Sequence, residues 1–164
     1  MALNAYLKIK GTVQGDIKGS VTQKGREGRI AVIAADHGVS LPHDLRAGIT
    51  SGTRAHRPFI LTKELDQSTP LLYRALITGE TLECEIQFFA PAAATAVGAT
   101  GAEVNRYTVR LSDARIDDIH FAMPNNRHPE LSKLAEYEEV AFSYRKIEWR
   151  WTQGAVSTID EIGE

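Results

Sequence analysis

The chain has 164 residues, with 19 Lys and Arg against 21 Asp and Glu and 43% hydrophobic residues. This near-neutral balance lacks the clustered basic surface that nucleic-acid binding needs, and the ordinary globular composition excludes disorder as the main state. No run approaches the roughly 18 apolar residues of a membrane span, residues 1–8 lack the basic and apolar regions of a signal peptide, and the lone Cys84 forbids an intrachain disulfide. The chain is therefore expected to be made in the cytoplasm and, if exported, to leave by a route that does not read its N-terminus.

Alternation at period two dominates. Ala5, Leu7 and Ile9 alternate with Tyr6, Lys8 and Lys10, which predicts a half-buried strand. Residues 21–28 read as a polar, glycine-rich turn. Residues 30–34 have no polar phase and predict a strand packed on both sides. Residues 36–57 carry Gly38, Pro42, Gly48 and Gly52 and read as one long loop. Structureless loops beyond about 12–15 residues are uncommon unless they do something, so this is the candidate partner surface. Residues 59–62 predict a strand that begins just after Pro58, which cannot donate to a ladder.

A helix is predicted over about 68–79. Ser68 or Thr69 can cap it, Pro70 sits in the first turn, and Gly79 suits the C-terminal left-handed position. Leu71, Leu72, Ala75 and Leu76 form its apolar stripe. Leu82, Cys84, Ile86 and Phe88 then alternate with Glu83, Glu85 and Gln87, and residues 90–101 read as a loop. Tyr107, Val109 and Leu111 give another strand, after which the apolar phase moves to Ala114 and Ile116, then to Ile119 and Phe121. A short helix is predicted over 129–137 from Leu131 and Leu134. Val140, Phe142 and Tyr144 are followed by a shifted set, Ile147, Trp149 and Trp151. Each shift inserts one residue, which predicts β-bulges at Ser112 and Asp113, at Asp117 and Asp118, and at Arg145 and Lys146. Long bent strands suit a barrel or a rolled sheet.

The residues carry no recognisable catalytic pattern. His37, His43, His56, His120 and His128 form neither H-x-x-x-H nor H-E-x-x-H, so no metal site is expected. His37 and His43 share the long loop and read as solvated. Gly25-x-x-Gly28 and Gly98-x-x-Gly101 lack a Lys-Ser/Thr partner and precede no helix, so no phosphate loop or cofactor is expected. Ser51 has the wrong spacing for a nucleophile elbow. Neighbours on a strand point to opposite faces, so Asp117 with Asp118, and Glu138 with Glu139, should not converge on a substrate. Trp149 and Trp151 share the face of Ile147, with Lys146, Glu148 and Arg150 opposite, which favours a core or subunit-facing role over base stacking. A hydrolase would need a nucleophile and base that converge, and the sequence supplies neither. A bent open sheet has edges that must be covered, and a neighbouring copy in a closed ring covers them.

Six segments carry a specific resemblance: Asn4-Ala-Tyr-Leu-Lys-Ile-Lys10, Gly15-Asp-Ile-Lys-Gly-Ser-Val-Thr22, His56-Arg-Pro-Phe-Ile-Leu-Thr-Lys-Glu-Leu-Asp66, Ser68-Thr-Pro-Leu-Leu-Tyr73, Tyr107-Thr-Val-Arg-Leu111 and Glu138-Glu-Val-Ala-Phe-Ser-Tyr-Arg-Lys-Ile-Glu-Trp149. With them the chain resembles the haemolysin-coregulated protein (Hcp) family, the tube subunit of the bacterial type VI secretion system. The resemblance implies a mainly β fold, a β-barrel of two sheets with one flanking α-helix at about 68–79, of the kind seen in phage tail tubes. It implies one tube domain over 1–164 with no separate C-terminal effector domain. Where many members carry tryptophan in the second strand region, this chain has the smaller residues of 30–36.

The resemblance further implies a structural protein with no enzymatic activity. Its expected partners are itself, as hexameric rings stacked into a tube, a contractile sheath, a VgrG spike and small effector proteins in the lumen, with no nucleic acid and no membrane insertion. Export by the apparatus fits the absent signal peptide. On this reading the polar loop residues His43, Asp44, Arg46 and Arg54 are the expected ring-stacking contacts. Asp117 and Asp118 are the expected lumen and effector contacts. The alternative is a phage-type tail tube protein, which genomic neighbours would distinguish: sheath, ATPase and membrane-complex genes for secretion, capsid and terminase genes for phage.

Overall fold

The computed structural model describes residues 4–44, 46, 48–50, 52–92 and 102–163, with backbone alone for 44, 49 and 50. Most of the predicted 90–101 loop, residues 93–101, lies outside the described residues. The strands are β1 (Ala5–Gly11), β2 (Gly15–Ile17), β3 (Ile30–Val32), β4 (Ala34–Asp36), β5 (Val39–Ser40), β6 (His43–Asp44), β7 (Ile49–Thr50), β8 (Ala55–His56) and β9 (Phe59–Glu64). After helix α1 (Thr69–Thr78) come β10 (Leu82–Pro91), β11 (Glu103–Ala122), β12 (Tyr137–Ser143), β13 (Lys146–Trp151) and β14 (Val156–Glu161).

One long hairpin organises the fold. β11 pairs antiparallel with β12 along its second half and with β13 along its first, so β12 and β13 run as one arm against a single 20-residue strand. The first half of that hairpin joins β10, β1, β2 and β14 in one sheet, and its second half joins β9 and β4 in the other. On the far side, β3 pairs with β1 and β4 with β9, while the Ile33 N–H between them donates to Thr62 O at 2.8 Å. The expected two-sheet body is present, but the expected barrel is not closed: β3 stays with β1 and β4 with β9, linked through the chain at Ile33 and not by a ladder.

The bulges at Ser112 and Asp113 and at Asp117 are real. Leu82 pairs with Ala114 but Cys84 with Leu111, and Ile116 pairs with Phe142 but Asp118 with Ala141. Asp113 adopts φ 49, a left-handed conformation that Asp tolerates better than most residues. The bulge expected at Arg145 and Lys146 is absent. Ser143 pairs with Arg115 and Lys146 with Ser112, so both arms advance by the same number of residues through the kink. The apolar phase shifts there because the arms bend together. A further bulge, where Phe88 pairs with Tyr107 but Phe89 with Asn105, escaped the alternation argument because two aromatics stand side by side. The hairpins made by β2 and β14 were also missed, since β2 has three residues and β14 shows no apolar alternation.

Other expectations fail for local reasons. Residues 30–34 are not packed on both sides: Ile30 is fully buried, but Ile33 is 58% exposed where the chain crosses between sheets. Residues 129–133 form turns, 134–136 are irregular and Tyr137 already belongs to β12, so there is no helix; Leu134 is 58% exposed, with its apolar side unburied. The 36–57 stretch is not structureless. It folds into two ribbons, β5 with β8 and β6 with β7.

Helix α1 forms as its sequence predicts and lies against β11, burying Leu72 and Ala75. Gly79 ends it at φ 62, with its N–H on Leu76 O at 3.2 Å and the Glu80 N–H on Ala75 O at 3.0 Å. The expected Ser68 or Thr69 side-chain cap is not made. Ser68 is helical at φ −77 and turns its hydroxyl to Asp66 Oδ1, while Thr69 Oγ1 donates to Glu138. The core joins Leu7, Ile9, Ile30, Leu61, Leu72, Leu82, Ile86, Leu111, Phe142 and Ile147 across both sheets and the helix.

Gly19 sits where three segments cross. A Cβ there would lie 2.5 Å from Arg29 O and 2.7 Å from Ile30 Cα, both backbone atoms. Gly19→Ala should therefore force the chains apart and lose about 1–3 kcal/mol. Urea unfolding measures this, and an unchanged midpoint would show that the crossing has slack.

Candidate assembly surfaces

The outer face of the first sheet is a charged checkerboard. Lys8 faces Glu85, Lys10 faces Glu83, Glu85 faces Arg110 and Arg110 faces Glu148 across successive strands. Arg110 reaches Glu85 at 3.0 Å, and Arg150 reaches Glu148 at 2.9 Å. These pairs are solvent-facing and each stabilises the fold little.

The edge of that sheet differs in character. Among the described strands β14 pairs with β13 alone. Its Val156 is 66% exposed and its Ile159 54%, with Trp151 and Ile162 exposed beside them. Arg106 lies over the Trp151 ring at 5.2 Å, next to Phe88 and Tyr107, whose rings meet at a tilt with centroids 5.7 Å apart. An unpaired edge with apolar side chains is a template for another chain.

Of the loop residues expected to meet a neighbouring ring, the structure keeps His43, Asp44 and Arg46 on one ribbon and sets Arg54 apart. His43 stands exposed at the start of β6, its Nδ1 2.9 Å from Leu41 O. Asp44 pairs with Ile49 in the same ribbon, and its side chain lies outside the described residues. Arg46 is exposed at the ribbon's turn. Arg54 points instead to β14, donating to Asp160 Oδ2 at 2.6 Å and to Glu161 O at 2.9 Å.

Asp117 and Asp118 lie on the outer face of the second sheet, at its bulge. The opposite-face expectation is corrected: both are exposed, because the bulge sets two residues against one. Asp117 Oδ1 accepts from Ser143 Oγ at 2.9 Å. Ala141, Glu139, Ile60 and Thr62 continue this face along β12 and β9, so it is flat and mixed in polarity.

Three buried polar clusters hold these surfaces in place. Lys63, at 2% exposure, donates to Glu138 Oε1 at 2.8 Å, to Glu64 O at 2.8 Å and to Thr69 Oγ1 at 3.1 Å, and lies 3.1 Å from Asp66 Oδ1. Burial pushes the Asp66 carboxyl up, but hydrogen bonds from Ser68 and Lys63 outweigh it and hold the group below its usual range. Glu80 Oε1 accepts from the Val13 and Gln14 N–H groups at 2.6 and 2.7 Å, tying the β1–β2 turn to the end of α1. Arg26 donates to Glu103 at 2.6 Å and lies 3.7 Å over the Phe89 ring, which pins the 21–28 turn. No single-sequence pattern announced these clusters, because their members are up to 77 residues apart.

A fourth cluster corrects the reading of His37 as a solvated loop residue. His37 Nε2 lies 2.6 Å from the Tyr144 hydroxyl and its ring stacks on Phe59 at 5.0 Å. Its neighbour is His56, not His43. His56 Nδ1 is 2.8 Å from the same hydroxyl, and its Nε2 donates to Asp160 Oδ2 at 2.7 Å. This order of carboxylate, imidazole and hydroxyl has the outline of a hydrolytic triad. The hydroxyl, however, is phenolic, belongs to a residue 7% exposed, and is pushed up to about 12 by burial. Flanked by two rings, it is not presented to a substrate.

Comparison with known proteins places the chain. Residues 6–151 match the family model described as "Type VI secretion system effector, Hcp". The chain is 36% identical over 171 residues to the "Major exported protein" of Pseudomonas aeruginosa, covering 98% of this chain and 96% of that one. Among solved structures, one titled "Crystal structure of Hcp protein" superimposes with a TM-score of 0.88 at 35% identity and covers 99% of both chains. The Hcp1 protein of E. coli EAEC 042, a mutant form, gives 0.82 at 34% identity over 98% of this chain and 99% of that one. The secreted protein Hcp3 from Pseudomonas aeruginosa gives 0.77 at 32% identity over 98% of both. With its two-sheet body and flanking helix, the chain therefore belongs to the Hcp family and is a tube subunit of the type VI secretion system.

Proposed function

We propose that six copies of this chain close into a ring, that rings stack into the secreted tube, and that the tube's lumen holds small effector proteins before export. The observation that carries the ring is the edge strand β14, whose exposed Val156 lies beside Trp151 on one face while its exposed Ile159 lies beside Glu148 on the other. A partner copy seated on that edge would bury apolar surface and complete a ladder in one step, and a stable contact needs about 1,200–2,000 Å² in total. The whole of 1–164 acts as one tube domain, made in the cytoplasm and carried out by the apparatus, with the contractile sheath around the tube and the VgrG spike at its tip. It transforms no substrate.

Light scattering at micromolar concentration should give one species of about six chain masses, and negative-stain images should show rings with a central hole. A strictly monomeric species over that range would overturn the proposal. Ring-to-ring contacts are assigned to His43, Asp44 and Arg46, with Arg54 anchoring their ribbons to β14. Charge reversal at Asp44 or Arg46 should shorten tubes in electron micrographs while rings persist. Lumen contact is assigned to Asp117 and Asp118. A bulky residue at either should lower effector recovery in pull-downs, and unchanged recovery from both would remove them.

A further inference from the structure

We propose that His37, Tyr144, His56 and Asp160 form a latch that holds the 36–57 ribbons against β14 and accommodates one added proton but not two, so that acid releases the ribbons while the two-sheet body stays folded. The argument is a hydrogen count. A carboxylate only accepts, so the His56 nitrogen facing Asp160 carries a hydrogen. In neutral His56 the other nitrogen is bare and accepts the Tyr144 O–H, and the Tyr144 oxygen then accepts from His37 Nε2–H. One added proton is absorbed by reversing the chain. The added proton enters at His37 Nδ1, the His37 Nε2 hydrogen passes to Tyr144 and the Tyr144 hydrogen passes to His56 Nδ1, so that His56 now donates to Tyr144 and Tyr144 donates to His37 Nε2.

A second proton breaks the arrangement. Both imidazoliums then aim N–H groups at one phenolic oxygen, whose own hydrogen loses its acceptor. The two rings are 6.4 Å apart, so two positive charges face each other in a half-buried place. The charged groups around them do not cancel this. Arg57 and Asp36 face His37, and Arg54 and Asp160 face His56. Phe59 and Trp149, packed on the rings, are neutral.

The β5–β8 ribbon depends on this cluster. The Arg57 N–H bonds Gly38 O at 2.9 Å between His37 and His56, β5 pairs with β8 at His56, and Arg54 holds Glu161 O. Strands β10 and β12 carry no histidine. Burial, then the neighbouring His56 and Arg57, hold His37 below the ordinary histidine value near 6.5. The open ribbons thus bind more protons than the closed ones. Closure is at full strength above the ordinary value and weakens as pH falls below it.

Hydrogen exchange on the full-length protein, corrected for the intrinsic effect of pH, tests the latch. Between about pH 7 and about pH 5, amides of 38–44 and 52–56 should lose protection by about tenfold per pH unit below 6.5, with β10 and β12 unchanged. His37→Gln keeps an N–H toward Tyr144 but takes no proton, so its ribbons should stay protected at the lower pH. Tyr144→Phe removes the shared oxygen, and its ribbons should already be less protected at neutral pH, with a smaller further drop in acid. Equal protection of the wild type at both pH values would overturn the latch, as would His37→Gln or Tyr144→Phe showing the wild-type drop.

Discussion

Glu138→Ala is expected to lose about 3 kcal/mol of folding stability, the lower end for breaking a buried ion pair, because it takes the nearer carboxylate from the buried Lys63 and leaves only Asp66, 3.1 Å away, beside it. Glu138 is fully buried and Lys63 is 2% exposed. The carboxylate also accepts from Thr69 at 2.9 Å, so its removal frees the start of α1 together with the end of β9. Among the described residues Glu138 Oε2 has no hydrogen-bond partner, so the pair is held by one oxygen. The double variant Lys63→Met with Glu138→Leu replaces two buried charges with apolar groups of similar size and should recover most of the loss. Urea unfolding of the two single variants and the double gives the coupling directly. A Glu138→Ala protein within about 1 kcal/mol of wild type would show that Asp66 alone suffices to hold Lys63.

Phe142→Ala should cost a similar amount, about 3–5 kcal/mol, by a different mechanism. Phe142 has no exposed surface and pairs with Ile116 on one side and Phe59 on the other, at the centre of the second sheet. Removing the ring opens a cavity between three strands that the pairing holds at fixed spacing. The urea midpoint should fall with the slope unchanged, since the surface exposed on unfolding is nearly the same. A midpoint near wild type would mean that α1 or β9 collapses into the space.

Fold and site were legible to different degrees, for physical reasons. Half-buried strands announce themselves by alternation, so Leu82, Cys84 and Ile86, or Val140 and Phe142, were readable and are buried. The bulges at Asp113 and Asp117 were readable because an inserted residue shifts that alternation. The kink at Tyr144 and Arg145 produced the same signal without an insertion, and only the partner strand's register distinguishes the two. The predicted 129–137 helix failed because amphipathic spacing is satisfied by turns when nothing covers the apolar side. His37 was unreadable: its partner Tyr144 sits at the kink between β12 and β13 and His56 in β8, and a histidine between Asp36 and Gly38 looks solvated until Phe59 and Trp149 are placed around it.

The shared hairpin also fixes when the molecule can assemble. Strand β9 has no neighbour on its β12 side until residues 137–143 exist, and β11 lacks both of its later partners until residue 151. On the ribosome, three quarters of the polypeptide must wait with its hydrophobic strands unsatisfied. Such non-local pairing folds slowly and leaves sticky surface exposed meanwhile. Nascent copies held close together on one message therefore face a period in which they could join wrongly, before any of them has the edge with which to join correctly.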